Sequence, residues 1–344
     1  FREAGHEIVG ERDFADVYVV NTCTVTAVAD KKSRQYIRRM KKINPEAIVA
    51  VTGCYAQISP GEVAAVEGVD IVTGTNEKST FLEYVEETAR QRAEGCAGSL
   101  TAVLPYEELD EFRDMGIVSG TENRTRAYIK VQEGCNRFCS YCVIPYARGP
   151  VRSRPLENIV AEAKALIDSG YRELVLTGIN TAMYDMENRN MYAEPDEAAA
   201  APEGEEAFGI EKAIAAVSEI PGDFRIRLSS LEPSVVNADY VRRLFKYDKL
   251  CRHLHMSAQS GSDDILAAMN RPYSRRQYEE LAETVCGFDP VYGLSTDIIV
   301  GFPGEKEKDF EDSCRLVAHC AFCKTHIFRY SKRPLTKAAE MDRQ

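Results

Sequence analysis

Between residues 125 and 331 the chain repeats one unit, a short apolar and β-branched run followed by an amphipathic stretch of helical period. The runs are RAYIKVQEG, ELVLTGIN, FRIRLSSLEP, HLHMSAQS, GLSTDIIVGF and KTHIFRYS, and NIVAEAKALIDSG, VVNADYVRRLFKY, SRRQYEELAETVCGF and KDFEDSCRLVAHC lie between them. A helix between two strands carries the chain back along the sheet, so the next strand adds in parallel. Units of roughly 30 residues repeated in this way predict a curved parallel sheet or partial barrel, with its site at the carboxyl ends of the strands.

A shorter alternation precedes it. ADVYVVNTC, AIVAVTGC and GVDIVTGTN read as strands, with a helix through KKSRQYIRRMKK after the first, which predicts a separate parallel α/β domain over residues 1–95. Cys23 and Cys54 end the first two strands and are therefore expected as neighbours on the carboxyl edge of that sheet. The chain opens on FREAGHEIVG, which reads as the tail of a helix leading into a strand. A doubly wound domain normally begins with a strand, so a first strand is expected upstream and the domain is read as incomplete. Residues 96–124 lack a sustained period and are expected to be a linker, with the second domain covering 125–344. An acidic, Ala-rich segment at about 185–208 is expected to be a mobile surface insertion.

No apolar run reaches the ~18 residues of a membrane span. Eleven cysteines at uneven spacing do not resemble a secreted disulfide scaffold, so free thiols and a cytoplasmic location are expected. The net charge of −11 argues at first sight against a nucleic-acid partner, but Asp185 to Ala207 holds eight acids and one Arg and accounts for −7 of it. Local patches therefore matter more. Lys31 to Lys42 holds seven cations, with Lys31, Arg34, Arg38 and Lys41 at helical spacing. They read either as an RNA-facing surface or as the solvated face of an amphipathic helix with Tyr36, Met40 and Ile43 turned inward. A second basic group, Arg148, Arg152 and Arg154, follows the main cysteine cluster and invites a functional reading.

That cluster is EGCNRFCSYC, with Cys135, Cys139 and Cys142 spaced C-x3-C-x2-C just after the first barrel strand. Structural zinc wants four ligands, usually from paired C-x2-C units, and no second pair lies nearby. A four-iron cluster held by three cysteines leaves one iron open to an exogenous ligand.

This spacing at the end of the first strand of a partial barrel resembles the radical S-adenosylmethionine enzymes. NTCTVTAVADKKSRQ, GCYAQ, GCNRFCSYCVIPYARGPVRSR, LTGIN, HMSAQSGSDDILAAMNR and TDIIVGFPGE are, in order, similar to the motifs of the methylthiotransferase family within that superfamily. The resemblance implies a flavodoxin-like N-terminal domain followed by a (βα)6 partial TIM barrel. It implies two [4Fe-4S] clusters and S-adenosyl-L-methionine, one cluster on Cys135, Cys139 and Cys142 and an auxiliary one to which Cys23 and Cys54 contribute. The third auxiliary cysteine is expected on the first strand, and a C-terminal RNA-binding domain is expected beyond the end of this sequence; Cys96 is a poor substitute ligand. The implied reaction is methylthiolation of carbon 2 of a modified adenosine in the tRNA anticodon loop, with an electron donor such as flavodoxin or ferredoxin and a sulfur source as partners. NTCTVT followed by ADKKSRQ looks most like the branch acting on N6-threonylcarbamoyladenosine at position 37. Isopentenyladenosine, a ribosomal-protein aspartate and a non-catalytic zinc-stabilised RNA-binding module are the alternatives. The sequence departs from the family pattern at Leu335, where Gly is expected.

The resemblance places Tyr141 near the adenine, Gly178 and Asn180 at the methionine moiety, Gln259 and Ser257 against cofactor or substrate, and Asp297 and Gly301 again near adenine. Each has a plainer reading as ring packing, strand-end polarity or a turn. His253 and His255 share a face and are expected to be satisfied interior histidines rather than ligands. Cys251, Cys286, Cys314, Cys320 and Cys323 are read as small hydrophobes in or beside helices.

Overall fold

The computed structural model describes residues 1–96, 98–114, 116, 125–188 and 207–342, which form two compact units. The first comprises Phe1–Met115 with Tyr146–Gly149 and Ser331–Leu335, and the second holds the remainder. Most of the acidic insertion expected at 185–208 lies outside the described residues. Among the described residues no helix is long and apolar enough to cross a membrane.

The first unit is one parallel sheet of β1 (Val17–Thr22), β2 (Ile48–Gly53), β3 (Ile71–Thr73) and β4 (Leu100–Ala102), hydrogen-bonded in that order. Every residue of β2 is buried, as expected of a central strand covered on both faces. One face packs on α1 (Ala27–Ile43), α2 (Cys54–Ile58) and α3 (Pro60–Ala64) through Ile37, Met40, Val49, Val51, Tyr55 and Val63. The other packs on α4 (Phe81–Ala93) through Ile48, Ala50, Ile71, Phe81 and Val85. The first three strands lie where the hydrophobic pattern places them. β4, however, falls inside the stretch expected to be linker, because three residues paired along β3 are too few to leave a period in the sequence. Residues 1–16 contribute a 3-10 turn at Arg2–Ala4 and no strand, and β1 is an edge of the sheet.

Leu335, in the first unit, has φ +65° and is 62% exposed. This left-handed conformation is the one that glycine, expected there, adopts without strain. Leu335→Gly should therefore raise stability by up to about 1 kcal/mol, read as a higher thermal midpoint.

The second unit begins with β5 (Arg126–Lys130), followed by the short antiparallel pair β6 (Gln132–Glu133) and β7 (Arg152–Ser153). Between that pair lie the cysteine loop and α5 (Ile144–Arg148). Then come α6 (Leu156–Asp168), β8 (Glu173–Thr177), α7 (Ile210–Ser218), β9 (Arg225–Leu228), β10 (Ser230–Leu231), α8 (Ala238–Leu244), β11 (His253–Met256), α9 (Asp263–Ala268), α10 (Arg275–Phe288), β12 (Gly293–Val300), α11 (Glu307–Cys320) and β13 (Lys324–Arg329). The strands are parallel in the orders β5-β8-β9 and β10-β11-β12-β13, and a bridge between Ile226 and Leu250 joins the two runs. All six expected strands are present, and one core beneath them runs from Ile129 and Leu176 through Leu254 and Met256 to Ile298. Helix boundaries follow local chemistry, as at α10, where Ser274 and Gln277 form a reciprocal capping box.

The basic group at 148–154 takes on structural work instead of a surface role. Arg152 and Arg154 are buried, and Arg154 is ion-paired with the buried Glu162 of α6. Glu162→Ala would leave the guanidinium buried without that partner, and a loss of about 3–5 kcal/mol in denaturant unfolding of the second unit is expected.

Candidate active site

Parallel strands deliver their carboxyl ends to one edge, and the second unit concentrates its unusual residues there. The cysteine loop leaves β6 at Gly134 and is fastened along its length. Ser140 donates through its N–H to the Met269 carbonyl at 3.0 Å and through Oγ to the Ala268 carbonyl at 2.8 Å. Asn270 Nδ2 donates to the Phe138 carbonyl at 3.2 Å, and Ala338 N–H to the Ser140 carbonyl at 2.7 Å. Phe138 is held at φ +45°, a conformation that costs a bulky residue energy and persists where the surroundings impose it. The turn after α9 is thus the mould of the loop.

Cys139 is buried, and Cys135 and Cys142 are half-buried. Burial, reinforced by the neighbouring Cys139, pushes the Cys142 thiol up to about 12 and raises Cys135 as well. Thiols in such a place remain protonated unless a metal takes the proton's place. Among the described residues no three Cys, His, Asp or Glu donors converge on a single ion. A single zinc ion would need four donors in one tight shell. A cluster is different: each cysteine ligates its own iron, and three soft donors on one rigid loop fit that requirement.

Arg271 is fully enclosed beside this loop. Its Nη1 donates to Cys139 Sγ at 3.4 Å and pairs with Glu232 Oε1 at 2.8 Å, Nη2 donates to the Ser257 carbonyl at 3.0 Å, and Nε to the Tyr273 hydroxyl at 3.1 Å. Burial opposes its charge, yet the Glu232 carboxylate outweighs this and holds its pKa above the usual range. Glu232 follows β10 and in turn accepts from the Ser234 hydroxyl at 2.5 Å. Arg271 is the last residue of HMSAQSGSDDILAAMNR and Glu232 lies in SSLEP, but neither was singled out by sequence, because only the fold shows that these two charges are buried against each other.

Asn180 is 4% exposed, and both polar atoms of its side-chain amide are without a partner among the described residues. Its backbone N–H is fixed by Gln132 Oε1 at 2.9 Å. Gly178 is required by that same side chain: a Cβ there would lie 2.8 Å from Gln132 Oε1. Its close neighbour is therefore Gln132, a residue that carries no motif, and Gln132 also donates to the Glu133 and Gly134 carbonyls at 2.6 and 2.7 Å. Tyr141 packs against Ile265, Met269, Phe302 and Ala338.

Gln259 has φ +67°, and its backbone is locked to β12 by bonds to Asp297 and Ile299. Asp297 Oδ2 accepts from His255 Nε2 at 3.1 Å and Ser257 Oγ at 2.9 Å. Burial works against the carboxylate, but these two donors prevail and hold its pKa below the ordinary value. His253 Nε2 and His255 Nδ1 both lie 2.9 Å from Ser295 Oγ, so the pair belongs to a hydrogen-bonded interior network. Gly301 is exposed in a turn, its N–H donating to Glu305. Cys320 is buried in the main core while Cys323 is exposed, and Cys251 is buried with Cys286 and Cys314 exposed.

In the first unit, Thr22 pairs in register with Gly53, so Cys23 and Cys54 leave the sheet side by side. A Cβ on Gly53 would lie 2.4 Å from the Thr22 carbonyl, so only glycine allows this approach. Cys54 is buried, Cys23 is exposed, and Arg148 Nε donates to Cys54 Sγ at 3.0 Å. Cys96 is exposed and follows α4.

Comparison with known proteins agrees with this arrangement. Residues 129–317 match the Radical SAM superfamily, and residues 1–74 match Uncharacterized protein family UPF0004. The chain is 41% identical to threonylcarbamoyladenosine tRNA methylthiotransferase MtaB of Bacillus subtilis, over 100% of this chain and 71% of that protein. It is 38% identical to the protein of the same name in Aquifex aeolicus, over 99% of this chain and 77% of that one. It is also 35% identical to tRNA-2-methylthio-N(6)-dimethylallyladenosine synthase of Clostridium botulinum, over 100% and 72% of the two chains. Among solved structures, the radical S-adenosylmethionine methyltransferase TsrM of Kitasatospora setae superposes with a TM-score of 0.63 at 17% identity, over 94% of this chain and 65% of that one. At that identity it speaks to the fold alone. A three-cysteine loop moulded onto the carboxyl edge of a six-stranded parallel sheet, with relatives of this identity along its whole length, places the chain in the methylthiotransferase family of the radical S-adenosylmethionine superfamily.

Proposed function

We propose that the protein methylthiolates carbon 2 of N6-threonylcarbamoyladenosine at position 37 of tRNA. The observation that carries this is the cysteine loop with the unpartnered Asn180 amide on the same sheet edge, in a chain whose relatives bear that activity in their names. Cys135, Cys139 and Cys142 would hold a [4Fe-4S] cluster, beside which S-adenosyl-L-methionine would bind. When bound, the cluster would supply the one-electron reduction on which this cofactor's radical chemistry depends. The chain's own residues bind and orient. Asn180 meets the cofactor's polar groups, Tyr141 and Gln259 border it, and the Asp297–His255–Ser257 group presents a fixed hydrogen-bonding face to whatever enters the sheet edge. Cys23 and Cys54 would contribute two thiolates to an auxiliary cluster, which would supply the site for the sulfur. Electrons come from a flavodoxin or ferredoxin and sulfur from a separate source, and the reducing cytoplasm suits these thiolates.

Nucleoside mass spectrometry of tRNA from cells lacking the gene tests the substrate. Loss of 2-methylthio-N6-threonylcarbamoyladenosine, restored by the gene, is expected. Persistence of that nucleoside with loss of the methylthio-isopentenyl one would move the assignment to the other tRNA substrate. A separate prediction concerns Asn180. Because its amide has no partner among the described residues, Asn180→Ala should leave the melting temperature nearly unchanged and weaken S-adenosyl-L-methionine binding, by calorimetry, about 10- to 100-fold.

A further inference from the structure

Five cations on the outward side of α1, Lys31, Lys32, Arg38, Arg39 and Lys42, are exposed, and none makes a hydrogen bond or ion pair among the described residues. Other surface helices neutralise their cations locally. Arg90 of α4 meets Glu87 and Glu94, Arg276 of α10 meets Glu280 and Glu283, and Arg315 of α11 meets Glu311 and Asp312. α1 contains a single acid, Asp30, and that one is buried and engaged by Arg333 at 2.5 Å.

The structure also divides a patch that the sequence presents as one. Arg34 donates to the Tyr55 hydroxyl at 2.5 Å, and Lys41 pairs with Asp70 at 3.3 Å and donates to the Ala47 carbonyl at 2.7 Å. Those two hold α1 to its own unit. Ile37 and Met40 fill the buried face, while Tyr36 is 46% exposed instead of turned inward. The five remaining cations make no hydrogen bond or ion pair among the described residues. Arg38 and Lys42 stand four residues apart and Arg39 and Lys42 three apart, spacings at which like charges repel and weaken a helix. A run of like charges uncompensated among the described residues is suited to a polyanion.

We infer that the outward face of α1 is a docking surface for the phosphate backbone of the tRNA, distinct from the sheet edge that carries the cysteine loop. This rests on the tRNA reading above and adds a second point of attachment on the first unit. Phosphate contacts position a nucleic acid without reading its sequence, and they release counterions, so they are visible in salt dependence.

The test is binding of unmodified tRNA to the 344-residue protein as a function of salt, for the wild type and for Lys31→Glu/Arg38→Glu/Arg39→Glu. The triple variant is expected to bind roughly tenfold or more weakly at low salt, with a log–log salt slope shallower by about 2 to 3. Its thermal midpoint should be equal or higher, since like-charge repulsion is removed, which separates lost docking from lost folding. S-adenosyl-L-methionine affinity should stay constant. Unchanged tRNA affinity and slope in a wild type that does bind tRNA would overturn this inference and leave the proposed function standing. Failure of the wild type to bind any tRNA would instead strike the proposed function itself. Intact tRNA binding with loss of reduction by an acidic flavodoxin would assign the face to the electron donor and overturn the inference too.

Discussion

Cys139→Ala is expected to yield, after anaerobic reconstitution, a protein that lacks the [4Fe-4S] cluster of the loop and forms 5′-deoxyadenosine at least about 10³-fold more slowly, since this chemistry belongs to the cofactor and no side chain replaces it. Cys139 is the buried member of the three and the one that Arg271 approaches. The substitution should not disturb the loop otherwise, because the contacts of Ser140, Asn270 and Ala338 that hold it run through backbone carbonyls. The apoprotein should therefore melt within about 1.5 kcal/mol of the wild type. Iron and sulfide analysis is the direct measurement. A Cys139→Ala protein that kept its full site cluster and cleaved S-adenosyl-L-methionine at the wild-type rate would refute the ligand assignment.

The second large effect is expected at Arg271. Arg271→Met strands the Glu232 carboxylate at 9% side-chain exposure, so a loss of about 3–5 kcal/mol in unfolding is expected. Replacing both partners, Arg271→Met with Glu232→Leu, should recover most of that loss, because an apolar pair of similar volume incurs no cost for buried charge. The cluster should respond differently. Hydrogen bonds and positive charge near the ligand sulfurs favour the reduced, more negative state. Single and double variants alike lack the N–H donated to Cys139, so both should be harder to reduce, each tenfold in the reduction equilibrium appearing as 59 mV in a one-electron titration. Recovered stability with an unrecovered potential is the signature of a group acting on the cluster. If the double variant regained the wild-type potential, Arg271 would be holding the fold alone.

How much was legible in advance differs by kind of residue. The six barrel strands, the first three strands of the smaller sheet and the three-cysteine loop were readable, because alternation and spacing are local properties of the chain. β4 was not, since a three-residue strand is recruited by its neighbour and not by its own pattern. The basic stretch at 31–42 was visible, but which cations face inward depends on where Tyr55 and Asp70 arrive from distant parts of the chain. Arg152 and Arg154 looked like a functional patch and proved to be buried, with Arg154 paired to Glu162, eight residues on in sequence.

By itself, then, the sequence determined the parallel α/β architecture, the close C-x3-C-x2-C spacing of Cys135, Cys139 and Cys142, and the edge of the sheet on which they lie. Only the tertiary structure decided that Gly178 makes room for Gln132, that Arg271 and Glu232 pair behind Cys139, and that, among the described residues, Asn180 lies buried without a partner and five cations of α1 face outward uncompensated. Backbone pattern is fixed by neighbours in sequence. Desolvation and charge pairing are fixed by neighbours in space, and these exist only after the strands have brought remote segments together.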